Sequence, residues 1–242
     1  MPDKTRGIVL HSIPYSDKYS IIYMYTEAFG RASYIVARNR GKKSSVSKSL
    51  FIPLSVLEME VEHRPKRDLH RIRECKTCFP FTDISRNPVK NMLAQFLSEL
   101  IYRAVKETEP DPRLFDYLYT SVHLLEHTEQ GIANFHIAFL LGLLRRLGIF
   151  PHLETYRKDY LFDMPNGIFV DTPPAHPHYL NADESSILSC LLRISYENMN
   201  LYAFSRRERV SLIHRILDYY RLHLPEFPEI KSVTVLQTLF DA

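Results

Sequence analysis

The chain has 242 residues, enough for one large domain or two ordinary ones, and its 45% hydrophobic and 24% charged content matches soluble globular proteins. No apolar run approaches the roughly eighteen residues of a membrane-spanning helix, no charged-then-apolar leader opens the chain, and three cysteines argue against a disulfide framework, so a cytoplasmic location is expected. Formal net charge is only +3, yet residues 1–50 carry nine Lys and Arg against three acids, a local +6 that leaves −3 for the rest.

Residues 7–12 (GIVLHS), 20–26 (SIIYMYT) and 31–38 (RASYIVAR) are short, β-branched or aromatic, and bounded by turn residues, so each reads as a strand. A clearer strand follows, where Leu57, Met59 and Val61 alternate with Glu58, Glu60 and Glu62. His63 to Arg67 makes a turn around Pro65, and Asp68 to Cys75 gives a weaker fifth strand. Five short strands in about seventy residues suit a small barrel, OB-like or SH3-like.

After Phe81 the period lengthens from two to 3.6. Asn87-Pro88 and Asp111-Pro112 each pair an N-cap with Pro at the first helical position. Stripes from Met92 to Ile101 and from Leu114 to Leu125 make both helices amphipathic. A third helix, Ile132 to Leu147, is apolar around much of its girth, which makes it the most buried, and it ends at Gly148. Residues 151–180 are a loop-rich insert with a hairpin around Asn166-Gly167. Helices resume near Asp183, at the capping box Ser205 to Glu208 (running to about Leu222), and from Ile230 to Phe240. Cys190, in the stripe of Ile187, Leu188, Leu191 and Leu192, reads as core.

The opening TRGIVLHSIPYSDKYSIIYMYTEAFGRASYIVA, the basic loop after it, LFIPLSVLEMEV, and the closing YYRLHLPEFPEIKSVTVLQTLF resemble the RecO family of bacterial recombination mediators, with identity thinning between about Pro151 and Leu180. The resemblance implies an α+β fold: an N-terminal five-stranded OB-fold barrel (residues 1–80) that binds nucleic acid, then an all-helical domain (81–242) with the loop-rich insert at 151–180. It implies a non-catalytic mediator of recombinational DNA repair, cytoplasmic and nucleoid-associated. Such a protein binds single- and double-stranded DNA, anneals complementary strands and, with RecR, loads RecA onto strands coated by single-strand DNA-binding protein. The alternative is a protein–protein adaptor with incidental DNA binding; a metal-dependent nuclease is a third.

The strongest functional signal is the basic loop Arg38 to Lys48. Its cations neutralise phosphates, and Gly41 lets the backbone come close; as a bare surface loop it would be merely solvated. The expected DNA-binding residues are Lys4, Arg6, Arg31, Arg38, Arg40, Lys42, Lys43 and Lys48. Tyr15, Tyr19, Tyr23, Tyr25, Phe29 and Tyr34 lie nearby and could stack bases, although half or more of them serve the core. Arg206 and Arg207 on the long C-terminal helix are either an extension of the DNA surface or a solvated helix side partnered by Glu208 and Asp218. Arg113, Arg145 and Arg146 are candidates for holding the acidic C-terminal tail of single-strand DNA-binding protein, or simply helix-end charges.

Cys75 and Cys78 form a lone C-x-x-C, whereas a structural zinc site needs four ligands. Relatives often carry a four-cysteine zinc element where this chain has residues 151–180, without a cysteine. His152, His176 and His178 stand there with no thiolate. No metal or cofactor is expected, and Tyr156, Tyr160, Phe162 and Phe169 are expected to hold the insert together. His152-Leu153-Glu154 mimics part of a deaminase motif without its P-C-x-x-C, and no phosphate-binding Gly-rich loop or G-x-S-x-G is present, so no catalysis is expected.

Overall fold

The computed structural model of the chain describes residues 2–37, 48–64 and 66–239. Five strands, β1 (Asp3–Pro14), β2 (Tyr19–Thr26), β3 (Gly30–Ala37), β4 (Val56–Glu62) and β5 (His70–Thr77), close into a barrel in the order β1-β2-β3-β5-β4. All pairings are antiparallel except β3 with β5, where Tyr34 meets His70 and Ile35 meets Arg71 in parallel. This is the predicted OB fold. Period-two alternation fills the barrel: Val9, Ile22, Met24, Ala32, Tyr34, Val36, Leu57, Met59 and Val61 share one buried cluster. A bulge between Val9 and His11 shifts β1 by one residue, so His11 stacks beside Tyr23 and against Tyr102 outside the barrel.

Helices then follow: α1 (Asp83–Arg86), α2 (Pro88–Ala104), α3 (Pro112–His127), α4 (Phe135–Arg146), α5 (Ala182–Leu191), α6 (Arg206–His223) and α7 (Ser232–Leu239). The caps fall where the side chains predict. Asn87 accepts from the amides of Val89 and Lys90, Asp111 from those of Arg113 and Leu114, and Ser205 with Glu208 closes a full capping box. Helix α4 starts three residues later than its periodicity suggests, because Ile132–Asn134 is a 3-10 turn. Phe135, Ile137, Phe139, Leu140 and Leu143 are all buried.

Compactness divides the chain elsewhere than the change of secondary structure at residue 81. One unit comprises residues 1–127 and 229–242; the other comprises 128–228. In the first, α2 packs on the barrel, where the Ser98 hydroxyl donates to Leu10 O at 2.7 Å. Glu99 of α2 accepts from the amides of Lys231 and Ser232, capping α7. In the second, residues 151–180 hold three short strands, β6 (Leu161–Asp163), β7 (Ile168–Val170) and β8 (Tyr179–Leu180), in the order β7-β6-β8. The hairpin around Asn166-Gly167 joins β6 to β7. Phe169 packs on Phe162 (4.8 Å between centroids) and Tyr156 (5.1 Å). Cys190 is exposed rather than core, because α5 turns Ser185, Ser189 and Leu191 inward.

Candidate nucleic-acid interface

On β4, Glu58, Glu60 and Glu62 project outward and are met by cations from the neighbouring strands. Lys76 lies 2.8 Å from Glu58, Lys4 3.5 Å from Glu60, and Arg73 2.8 Å from Glu62. Arg73 holds the Glu62 carboxyl below its ordinary range. With Glu74 added, this side offers a polyanion little net attraction.

Two of the expected DNA-binding cations are engaged within the fold. Arg6 grips Glu27 through two hydrogen bonds (2.8 and 2.7 Å) and lies over the rings of Phe115 and Tyr119. The pair holds Glu27 low and raises Arg6. Arg31 donates to Tyr102 O and Val105 O at 3.0 and 2.9 Å and stacks on Tyr102, fastening β3 to the end of α2. Lys4, though exposed, stands among the glutamates. Arg38, Arg40, Lys42 and Lys43 lie outside the described residues. Lys48 opens a 3-10 turn, Lys48–Leu50, and its side chain lies outside the described ones.

Beyond these pairs, the β4–β5 turn and the start of β5 carry cations that sequence reasoning passed over, of which Arg64 (4.0 Å) and Arg73 (2.8 Å) both reach Glu62. Residues 64–73 contain Arg64, Lys66, Arg67, Arg71 and Arg73 against Asp68 and no other acid. All five basic side chains are exposed. Arg71 pairs with Ile35 of β3, whose end at Ala37 leads into the basic segment 38–48. The charge count was legible in the sequence, where the segment reads only as a turn and a weak strand.

Two imidazoles hold this turn. The Arg64 amide donates to His70 Nδ1 at 3.2 Å, so that nitrogen is the acceptor in the neutral ring. His63 stacks between His70 (4.1 Å) and Phe29 (4.0 Å). Burial lowers the pKa of both, as it does for His11, and drives the fully buried His136 of α4 down to about 3. Each folded value lies below the unfolded one, near 6.5, so the unfolded chain takes up more protons once pH falls below that value. The stability these groups contribute is therefore intact above about pH 6.5 and lost as pH falls. His136 alone is expected to cost about 2 kcal/mol at pH 5. Urea midpoints measured between pH 7.5 and 5 should fall steadily, and a flat profile would contradict this.

In the helical region the basic residues are dispersed. Arg206 is half-buried and Arg207 exposed at the start of α6, while Arg209 donates to Phe204 O. Arg215 pairs with Glu184 at 2.9 Å and Arg221 with Asp218. Arg113 is exposed at the start of α3, in the first compact unit. Arg145 and Arg146 end α4 in the second, and Arg145 donates to Leu192 O at 2.7 Å while stacking on Phe150. In that second unit a cavity of about 130 Å³ is lined by Leu144, Phe162, Leu188 and Leu212, among others, with Arg215 and Glu184 also in its wall.

Cys75 packs against the barrel interior, and burial raises the Cys78 thiol. Among the described residues no three His, Cys, Asp or Glu side chains are grouped so as to hold a metal ion, and no helix is long and apolar enough to cross a membrane.

The family model described as Recombination protein O N terminal matches residues 1–81, and that described as Recombination protein O C terminal matches residues 85–232. The chain is 43% identical over 238 residues to the DNA repair protein RecO of Azobacteroides pseudotrichonymphae, covering 98% of this chain and 99% of that one. It is 44% identical over 242 residues, all of both chains, to the protein of that name from Bacteroides fragilis. It is 39% identical over 241 residues, 98% of each chain, to that from Porphyromonas gingivalis.

Proposed function

The chain belongs to the RecO family of DNA repair and recombination proteins, and from that premise we propose that it binds single- and double-stranded DNA at the cationic side of its barrel and anneals complementary strands. What carries the reading is one observation: the exposed Arg64, Lys66, Arg67 and Arg71 adjoin the strand that feeds Arg38, Arg40, Lys42, Lys43 and Lys48. OB folds meet oligonucleotides on the β2–β3 side and through the β1–β2 and β4–β5 loops, and Arg64, Lys66 and Arg67 lie in the β4–β5 loop. Arg6 and Arg31 drop out of the proposed site because Glu27 and two carbonyls hold them in hydrogen bonds, and Lys4 because it stands among Glu58, Glu60 and Glu74. The mechanism needs no bond to be made or broken. Cations screen the repulsion between two strands, and the strands pair by themselves.

Within the family's work this protein would act with RecR to load RecA onto strands coated by single-strand DNA-binding protein. The acidic, apolar C-terminal tail of that protein would need an apolar slot beside a cation. Arg145 is bound to Leu192 O and Arg215, in the wall of the cavity, to Glu184, so a tail entering there would have to displace Glu184, while Arg113 and Arg146 stay as the other candidates. The same cavity is the one feature favouring an adaptor reading. Annealing of labelled complementary oligonucleotides separates the two. The expected outcome is acceleration at low salt that fades as salt rises; an unaccelerated reaction, with no oligonucleotide bound at any salt, would leave the adaptor.

A further inference from the structure

We infer that Tyr15 and Tyr19 form a stacking platform for unpaired nucleobases, an assignment that rests on the DNA-binding reading and names the part of the strand this site takes. Six rings lie between residues 15 and 34, and the fold sorts them. Tyr25 and Tyr34 are fully buried. Tyr23 packs edge-on against Tyr102 at 5.1 Å, and Phe29 lies face to face with His63. Tyr15 and Tyr19 remain 60% and 42% exposed.

Their placement is fixed by the hairpin. Pro14 pairs with Ser20 at the last step of the β1–β2 ladder, and Tyr15 and Tyr19 follow directly, flanking the turn on either side. The turn between them is tied down. The amides of Tyr15 and Ser16 donate to Tyr19 O at 3.0 and 3.1 Å, and the Lys18 amide donates to the Ser16 hydroxyl. Rings held on such a frame lose little freedom when a base arrives.

Their surroundings suit a nucleotide. Tyr19 pairs with Ala37, which has only a methyl side chain. Beyond β3 lies β5, two strand spacings or about 10 Å from β2, with Arg71 exposed on it and Lys18 exposed in the turn itself. A strand whose bases cover the two rings thus has cations within reach of its phosphates. Ring faces accept any base, but only one not already stacked in a duplex. The platform therefore selects unpaired DNA, while the cations serve both forms.

The test compares the full-length protein with Y15A/Y19A and Y15F/Y19F by fluorescence anisotropy, on oligo-dT, an abasic strand of equal length, and a duplex. The double alanine variant should lose about tenfold or more on oligo-dT, with changes of no more than about twofold on the abasic strand and duplex. Its salt slope should match the wild type, and the phenylalanine variant should bind like wild type. If the alanine variant holds oligo-dT as tightly as the wild type, or weakens equally on all three ligands, the platform is overturned while DNA binding by the cations stands. If the wild type binds none of the three at any salt, the DNA-binding reading itself falls.

Discussion

Glu126→Ala is expected to destabilise the protein by about 3–4 kcal/mol and lower Tm by about 10 °C. The carboxylate reaches back from the end of α3 to accept the amides of Thr82, Asp83 and Ile84 at 2.8, 2.7 and 3.0 Å. Helix α1 receives no side-chain cap from its own Thr82, so Glu126 supplies one from 42 to 44 residues away. Burial pushes this carboxyl up, but the three amides outweigh it and hold it below the ordinary range. The same residue's carbonyl accepts from the ammonium of Lys90, 1% exposed, which also pairs with Asp83 at 2.8 Å. Alanine would orphan three donors, while the carbonyl that accepts from Lys90 would remain. Glu126→Gln keeps one acceptor and should lose about half as much. Thermal melts of the three proteins decide it, and a loss below about 1 kcal/mol for alanine would mean that water replaces the carboxylate.

The second large effect is on binding. Replacing Arg64, Lys66, Arg67 and Arg71 together by alanine is expected to weaken single-stranded DNA binding about 100-fold near 0.1 M salt. Every phosphate that no longer meets a cation should also lower the slope of log affinity against log salt by about 0.7. These four side chains are exposed and the barrel interior does not use them, so the fold should survive the change.

The barrel was legible because its core residues alternate, and the helices because Asn87, Asp111 and Ser205 announce their starts. Helix α1 was not legible: four residues are too few for a period to show, and its cap comes from α3. Nor could charge counting show which cations hold the fold. Arg6 meets Glu27 across the β1–β2 pair, and Arg31 meets carbonyls 71 and 74 residues away. Those partnerships exist only once the chain is folded. The tyrosines had the same ambiguity, resolved by which of them lie inside the barrel or beneath α2. Cys190 shows the converse: a short apolar run fits either side of α5, and only the packed neighbours decide which turns inward.

A salt titration on one single-stranded oligonucleotide, comparing variants at two places on the barrel surface, tests the central claim most directly. The variant lacking Arg64, Lys66, Arg67 and Arg71 should flatten the salt dependence by about two to three units, while Lys4→Ala/Lys76→Ala should leave it near wild type. Equal slopes for the first variant and the wild type, or a flattened slope for the second alone, would contradict the assignment of DNA to the β3–β5 side.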